Sequence, residues 1–108
     1  MPTRLLLIAA LLLPFAAHAD DLPTFKLELN DGKLNTRQIN APAGKRFKIE
    51  FINKGKTAAE FESLSLRKEK VLAPGAESFV TLGPLSPGEY KFYDEFHMAT
   101  TQGVIVVK

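Results

Sequence analysis

Seven short runs of alternating apolar residues, Pro or Gly at the boundaries between them, and little helical periodicity predict an all-β chain. About seven strands punctuated in this way fit a two-sheet antiparallel sandwich with Greek-key connections. No internal repeat, low-complexity tract or second-domain boundary interrupts the pattern.

The elements follow in chain order. Residues 1–19 read as an export signal rather than as part of the fold. Arg4 supplies a positive start, Leu5 to Ala17 is an apolar run broken by Pro14, and Ala17-His18-Ala19 offers a small-x-small cleavage site before Asp20. The run has thirteen residues, short of the roughly 20 that a spanning helix needs. The expectation is a cleaved signal peptide, a domain of residues 20–108, and a periplasmic mature chain with no membrane insertion. In TFKLELNDGKLN, Phe25, Leu27 and Leu29 alternate with polar residues and run into Asp31-Gly32, a strong hairpin signal. KRFKIEFIN, bounded upstream by Pro42-Ala43-Gly44, places Phe47, Ile49 and Phe51 on one face. EFESLSL holds Phe61, Leu64 and Leu66 in one segment, and residues 67–76 are expected to carry a crossover with a helical turn. Pro74-Gly75 precedes the strand ESFVTL, Pro87-Gly88 precedes EYKFY, and Gly103 opens VIVVK. Tyr90, just after Pro87-Gly88, fits a tyrosine corner, in which the phenol bonds back to nearby backbone.

Composition removes several function classes. Without Arg4 the chain carries thirteen basic and twelve acidic residues, and they are scattered, so charge makes no case for nucleic acid. No cysteine is present, which excludes disulfides, a lipidated N-terminus and a Cys/His zinc site. No nucleophile motif or phosphate-cradling glycine loop is found, and the glycines fall at turns.

The stretches NKGKTAAEFESLSLRKEKVLAPG, GPLSPGEYKFYDEFH and QGVIVV together resemble the cupredoxin-like family of the EfeO type, and most closely the small cupredoxin-like component of Ftr-type bacterial iron transporters. They lie between Phe51 and Val107 and cover over half of the expected domain. The resemblance implies a β-sandwich with a metal site at one end, built from the loop after the strand ending in Asn53 and the loop before the last strand. In copper-binding relatives these loops carry His and Cys ligands. Carried onto this chain, the first position falls at or beside Glu60, the cysteine position at or next to Asp94, and a later ligand near His97. Without a thiolate no type 1 copper centre can form; carboxylate and imidazole suit Fe(II), Mn(II) or Cu(II) instead.

Each residue has two readings. Asp94 and His97 can converge on one ion, or Asp94 can cap the turn. Glu60 and Glu62 share one face of an extended segment, as ligands or as solvated carboxylates. Glu95 is expected to face solvent, and Glu69 to pair with a Lys or Arg. Met98 is either a soft ligand, which keeps copper in view, or an exposed apolar loop residue. The resemblance implies assisted oxidation of Fe(II) before transport, with Asp94 and His97 expected to bind the ion and carry the oxidation, helped by Glu60 or Glu62, and with a periplasmic iron-binding protein and an inner-membrane iron permease as partners. A non-catalytic iron or copper carrier and an accessory docking subunit are the alternatives.

Overall fold

A computed structural model describes residues 22–108; the expected signal peptide and its cleavage point before Asp20 lie outside them. The described residues form nine strands: β1 (Thr24–Asn30), β2 (Lys33–Leu34), β3 (Gln38–Ala41), β4 (Phe47–Asn53), β5 (Ala59–Ser63), β6 (Lys68–Leu72), β7 (Glu77–Leu82), β8 (Gly88–Phe92) and β9 (Gly103–Val107). A 3-10 segment, Glu95–Thr100, links β8 to β9. No helix of the described residues is long and apolar enough to cross a membrane.

One sheet has the order β2-β1-β4-β7 and the other β3-β9-β8. The β5-β6 hairpin joins the second sheet through a bridge between Glu62 and Tyr93, just beyond the end of β8. The all-β sandwich is as the sequence predicts. Its ladders are not all antiparallel, because β1 pairs parallel with β4 and β3 parallel with β9. After β2 the chain lays β3 in the opposite sheet, then returns beside β1 in the direction β1 already has.

The hairpin expected at Asp31-Gly32 is present. Leu29 faces Leu34, Asn30 faces Lys33, and both turn residues have positive φ, 49° and 90°. That pair of dihedrals is the primed turn whose twist matches flanking strands. Strand β4 alternates buried and half-buried residues along its whole length, as its pattern predicts. The Tyr90 hydroxyl donates to the Ser86 carbonyl at 2.8 Å, which establishes the tyrosine corner.

Residues 67–76 differ from expectation. They carry β6, antiparallel to β5, with Glu62 opposite Glu69 and Glu60 opposite Val71, and no helical turn. Leu72 alone is buried in β6, so no apolar alternation marks the strand. Leu64 lies at the hairpin turn and is 67% exposed rather than core.

The core holds the apolar residues of both sheets, and aromatic rings stitch the hairpin into it. Phe61 of β5 stacks between Phe51 of β4 and Phe92 of β8, at centroid distances of 4.8 and 5.3 Å. Such ring pairs add about 0.5–1.5 kcal/mol each beyond area burial. They fix β5 rigidly, and with it the residues that alternate with Phe61.

Candidate metal centre

Glu60 and Glu62 flank Phe61 and so leave β5 on the face opposite the core. Adjacent backbone defines what lies over them. The 3-10 segment packs against β5, and it is held there by Asp94. The Asp94 carboxylate is 1% exposed, and its Oδ1 accepts from the backbone N–H of Glu60 at 3.0 Å and of Phe96 at 2.9 Å. Its Oδ2 lies 2.9 Å from His97 Nδ1. Thr101 completes the corner, its hydroxyl donating to the His97 carbonyl at 2.8 Å and accepting from Asp94 N–H at 2.9 Å. The capping reading of Asp94 is therefore realised, with the N–H of a neighbouring strand bound as well.

The loop on the other side of β5 is fixed by Asn53, fully buried at the end of β4. Its Nδ2 donates to the carbonyls of Thr57 and Leu72, and its Oδ1 accepts from Gly55 N–H. Asp31 Oδ1 accepts from Thr57 N–H at 3.0 Å and Thr57 hydroxyl at 2.7 Å, and both its oxygens face Lys56 N–H. These bonds, the Thr57 hydroxyl first, hold the Asp31 carboxyl below its ordinary range. The Thr57 hydroxyl is thus committed to Asp31, and His97 Nε2 lies 3.4 Å from it. A polar chain runs Asp94–His97–Thr57–Asp31 along the base of the loops.

A group of carboxylates lies beside that chain. Carboxylate oxygens of Glu60, Glu62 and Glu95 all lie within 4.8 Å of one another. The antiparallel Glu62–Tyr93 bridge explains why: Glu60 lies two residues before Glu62, opposite Glu95, which lies two residues after Tyr93. Glu95 is exposed, as expected, yet its carboxylate reaches the other two. Glu69 of β6 faces the same group from across the hairpin. Among the described residues no lysine or arginine pairs with any of these four, since the Lys–Glu pairs are Lys48–Glu50 and Lys54–Glu28.

Burial and like charge act together on the buried member. Glu60 is 2% exposed, and its carboxyl is pushed up to about 8, first by burial, then by contact with the Glu95 and Glu69 carboxyls and by the charges of Glu95 and Glu62. The Glu62 carboxyl is raised in the same direction, by burial first and then by Glu95. Burial raises the Tyr93 phenol as well, followed by the charges of Glu62, Glu95 and Glu60. A buried carboxyl whose neighbours are other carboxyls must hold a proton or a cation.

Of the residues that the sequence points to, the structure brings Glu60 and Glu62 together and pairs Asp94 with His97. The ring nitrogens of His97 are not among the atoms gathered within 4.8 Å, and Met98 is 48% exposed on the 3-10 segment. Sequence reasoning missed Glu95 as part of the group. The signal was register: once Glu62 faces Tyr93, Glu95 must approach Glu60. A groove of about 500 Å³ on the outer face of the first sheet, lined in part by Lys26, Glu50 and Phe79, contains none of these carboxylates.

Ligand-type side chains thus gather at the end of the sandwich where β5 and the segment before β9 meet. The chain belongs to the cupredoxin-like domain family, which it matches over residues 3–107. It is 32% identical over 88 residues to an uncharacterized protein of Rickettsia prowazekii (strain Madrid E), covering 82% of this chain and 70% of that one. Among solved structures it is similar to dithionite-reduced auracyanin from Roseiflexus castenholzii, with a TM-score of 0.68, 16% identity, and coverage of 79% and 96%. A copper binding protein solved by NMR in its apo form gives a TM-score of 0.67 at 20% identity, over 79% of this chain and 86% of that one. These likenesses establish the fold. They do not carry the copper chemistry across: the chain has no cysteine, so a type 1 copper centre cannot be built from it.

Proposed function

We propose that this protein is a periplasmic component of a bacterial iron-uptake system, and that it binds Fe(II) at Glu60, Glu62 and Glu95 and favours its oxidation to Fe(III). The observation that carries the reading is the buried Glu60 carboxyl, set among Glu62, Glu69 and Glu95 with no lysine or arginine of the described residues paired to them. The resemblance of the EFES and DEFH stretches to iron-transporter components supplies the substrate, and implies a periplasmic iron-binding protein and a membrane permease as partners.

The chemistry follows from charge. Anionic oxygens stabilise a trivalent ion more than a divalent one, so an all-carboxylate site lowers the iron potential and eases loss of the electron. One electron leaves each iron and passes to dioxygen or to Cu(II), external oxidants of the required potential. Asp94 acts by position: it holds the Glu60 backbone and the segment carrying Glu95 in one frame. Its Oδ2, 2.9 Å from His97 Nδ1, also fixes the orientation of the imidazole ring.

Anaerobic calorimetric titration with Fe(II), followed by oxygen uptake after air is admitted, tests the reading. The protein should bind Fe(II) and speed its oxidation, and Glu60→Gln should weaken binding at least tenfold while remaining folded. Unchanged affinity in Glu60→Gln would remove the glutamate site. Normal binding with no acceleration of oxidation would make the protein an iron carrier instead.

A further inference from the structure

We propose that Tyr93 is a further ligand of the site, its phenol oxygen binding the iron once the ion is ferric; this rests on the iron reading above. Glu62 and Tyr93 exchange both backbone hydrogen bonds, Glu62 N–H to Tyr93 carbonyl at 2.8 Å and Tyr93 N–H to Glu62 carbonyl at 2.9 Å. In such an antiparallel pair the two side chains leave the same face, with Cβ atoms about 5 Å apart. Tyr93 therefore stands beside Glu62, and by the alternation of extended backbone it shares a side with Glu95.

The two mature-domain tyrosines differ in their hydroxyl partners. Tyr90 spends its hydroxyl on the Ser86 carbonyl in the tyrosine corner. The Tyr93 ring is half-buried, yet its hydroxyl has no hydrogen-bond partner among the described residues. The register thus sets the phenol beside Glu62, and among the described residues its oxygen has no structural duty. The charges of Glu62, Glu95 and Glu60 all reach that phenol, and a trivalent cation bound between them cancels the negative charge that it feels. A trivalent, oxygen-preferring ion held by three carboxylates gains from one more anionic oxygen. In the step, the O–H bond breaks, its proton passes to solvent, and an oxygen–iron bond forms; no electron is exchanged. The phenolate favours the ferric over the ferrous state and so adds to the bias set by the glutamates.

The test loads the full protein with ferric nitrilotriacetate, removes unbound iron, and records visible absorption, resonance Raman spectra and iron content. The wild-type protein should show a phenolate-to-iron(III) charge-transfer band with phenolate ring modes. Tyr93→Phe should retain iron and lose the band, and Tyr90→Phe should retain both. Iron retained by the wild type with no such band, or a band that survives in Tyr93→Phe, overturns the assignment of Tyr93 while leaving the glutamate site standing. Failure of the wild type to retain iron, together with failure to bind Fe(II) by calorimetry, overturns the glutamate site and this inference with it.

Discussion

Burial and the neighbouring carboxyls push the Glu60 carboxyl up to about 8 from an ordinary 4.5, so the folded, metal-free protein should hold it protonated at neutral pH. Between those values the folded state holds a proton that the unfolded state has released. Stability from this group is thus fully present below pH 4.5 and is lost as pH rises through 8. Each pKa unit corresponds to about 1.4 kcal/mol, so urea unfolding should show a loss on the order of a few kcal/mol between pH 5 and 8.5. Glu60→Gln, which is neutral throughout, should flatten the profile and be the more stable protein at the alkaline end. A wild-type profile that rises over this range would show that Glu60 is ionised when folded. Asp94 contributes through its hydrogen bonds, accepting from Glu60 N–H and Phe96 N–H and lying 2.9 Å from His97 Nδ1. Asp94→Ala leaves buried donors unpaired at about 1–3 kcal/mol apiece. We expect a loss of roughly 2–4 kcal/mol in chemical unfolding, with iron affinity falling in proportion as Glu95 leaves its frame.

At the scale of elements, two loops set the site and both depend on close backbone approach. A Cβ at Gly55 would meet Asp31 Oδ1 at 2.5 Å and Asp31 N at 2.6 Å, so the β4–β5 loop can dock on the β1–β2 turn only with glycine there. Gly55→Ala should cost about 1–3 kcal/mol, within the range for overpacked sites, and hydrogen exchange at Lys56 and Thr57 should quicken. Unchanged protection at those amides would contradict the docking. Legibility varied for reasons visible in the same elements. The β1–β2 hairpin was readable because Asp31-Gly32 and the alternation around it are local. Strand β6 was not, because its partner β5 supplies the apolar face while β6 itself is mostly polar and exposed. Strand β3, four residues with only Ile39 and Ala41 buried, is too short to show a period. For the site, residue types pointed first to Asp94 and His97, with Glu60 or Glu62 in support. The inclusion of Glu95 depends on the cross-strand register of Glu62 with Tyr93, which is tertiary information.

On the scale of the whole molecule, the sandwich keeps the cupredoxin-like frame without a cysteine and gathers three carboxylates at one end. Its core supplies rigidity through the Phe51–Phe61–Phe92 stack, and that rigidity forces carboxylates together which would separate in a flexible chain. Metal binding then repays the like-charge cost, so Mn(II), a redox-silent stand-in for Fe(II), should raise the unfolding midpoint more at pH 8 than at pH 5.5. The most direct test is calorimetry of Mn(II) binding at pH 7 in buffers of different ionisation enthalpy. Because Glu60 must give up its proton to ligate, the account predicts release of about one proton per ion bound, declining toward zero well above pH 8. Binding heats that do not depend on the buffer would contradict it, since an ion that displaces no proton is not bound by Glu60.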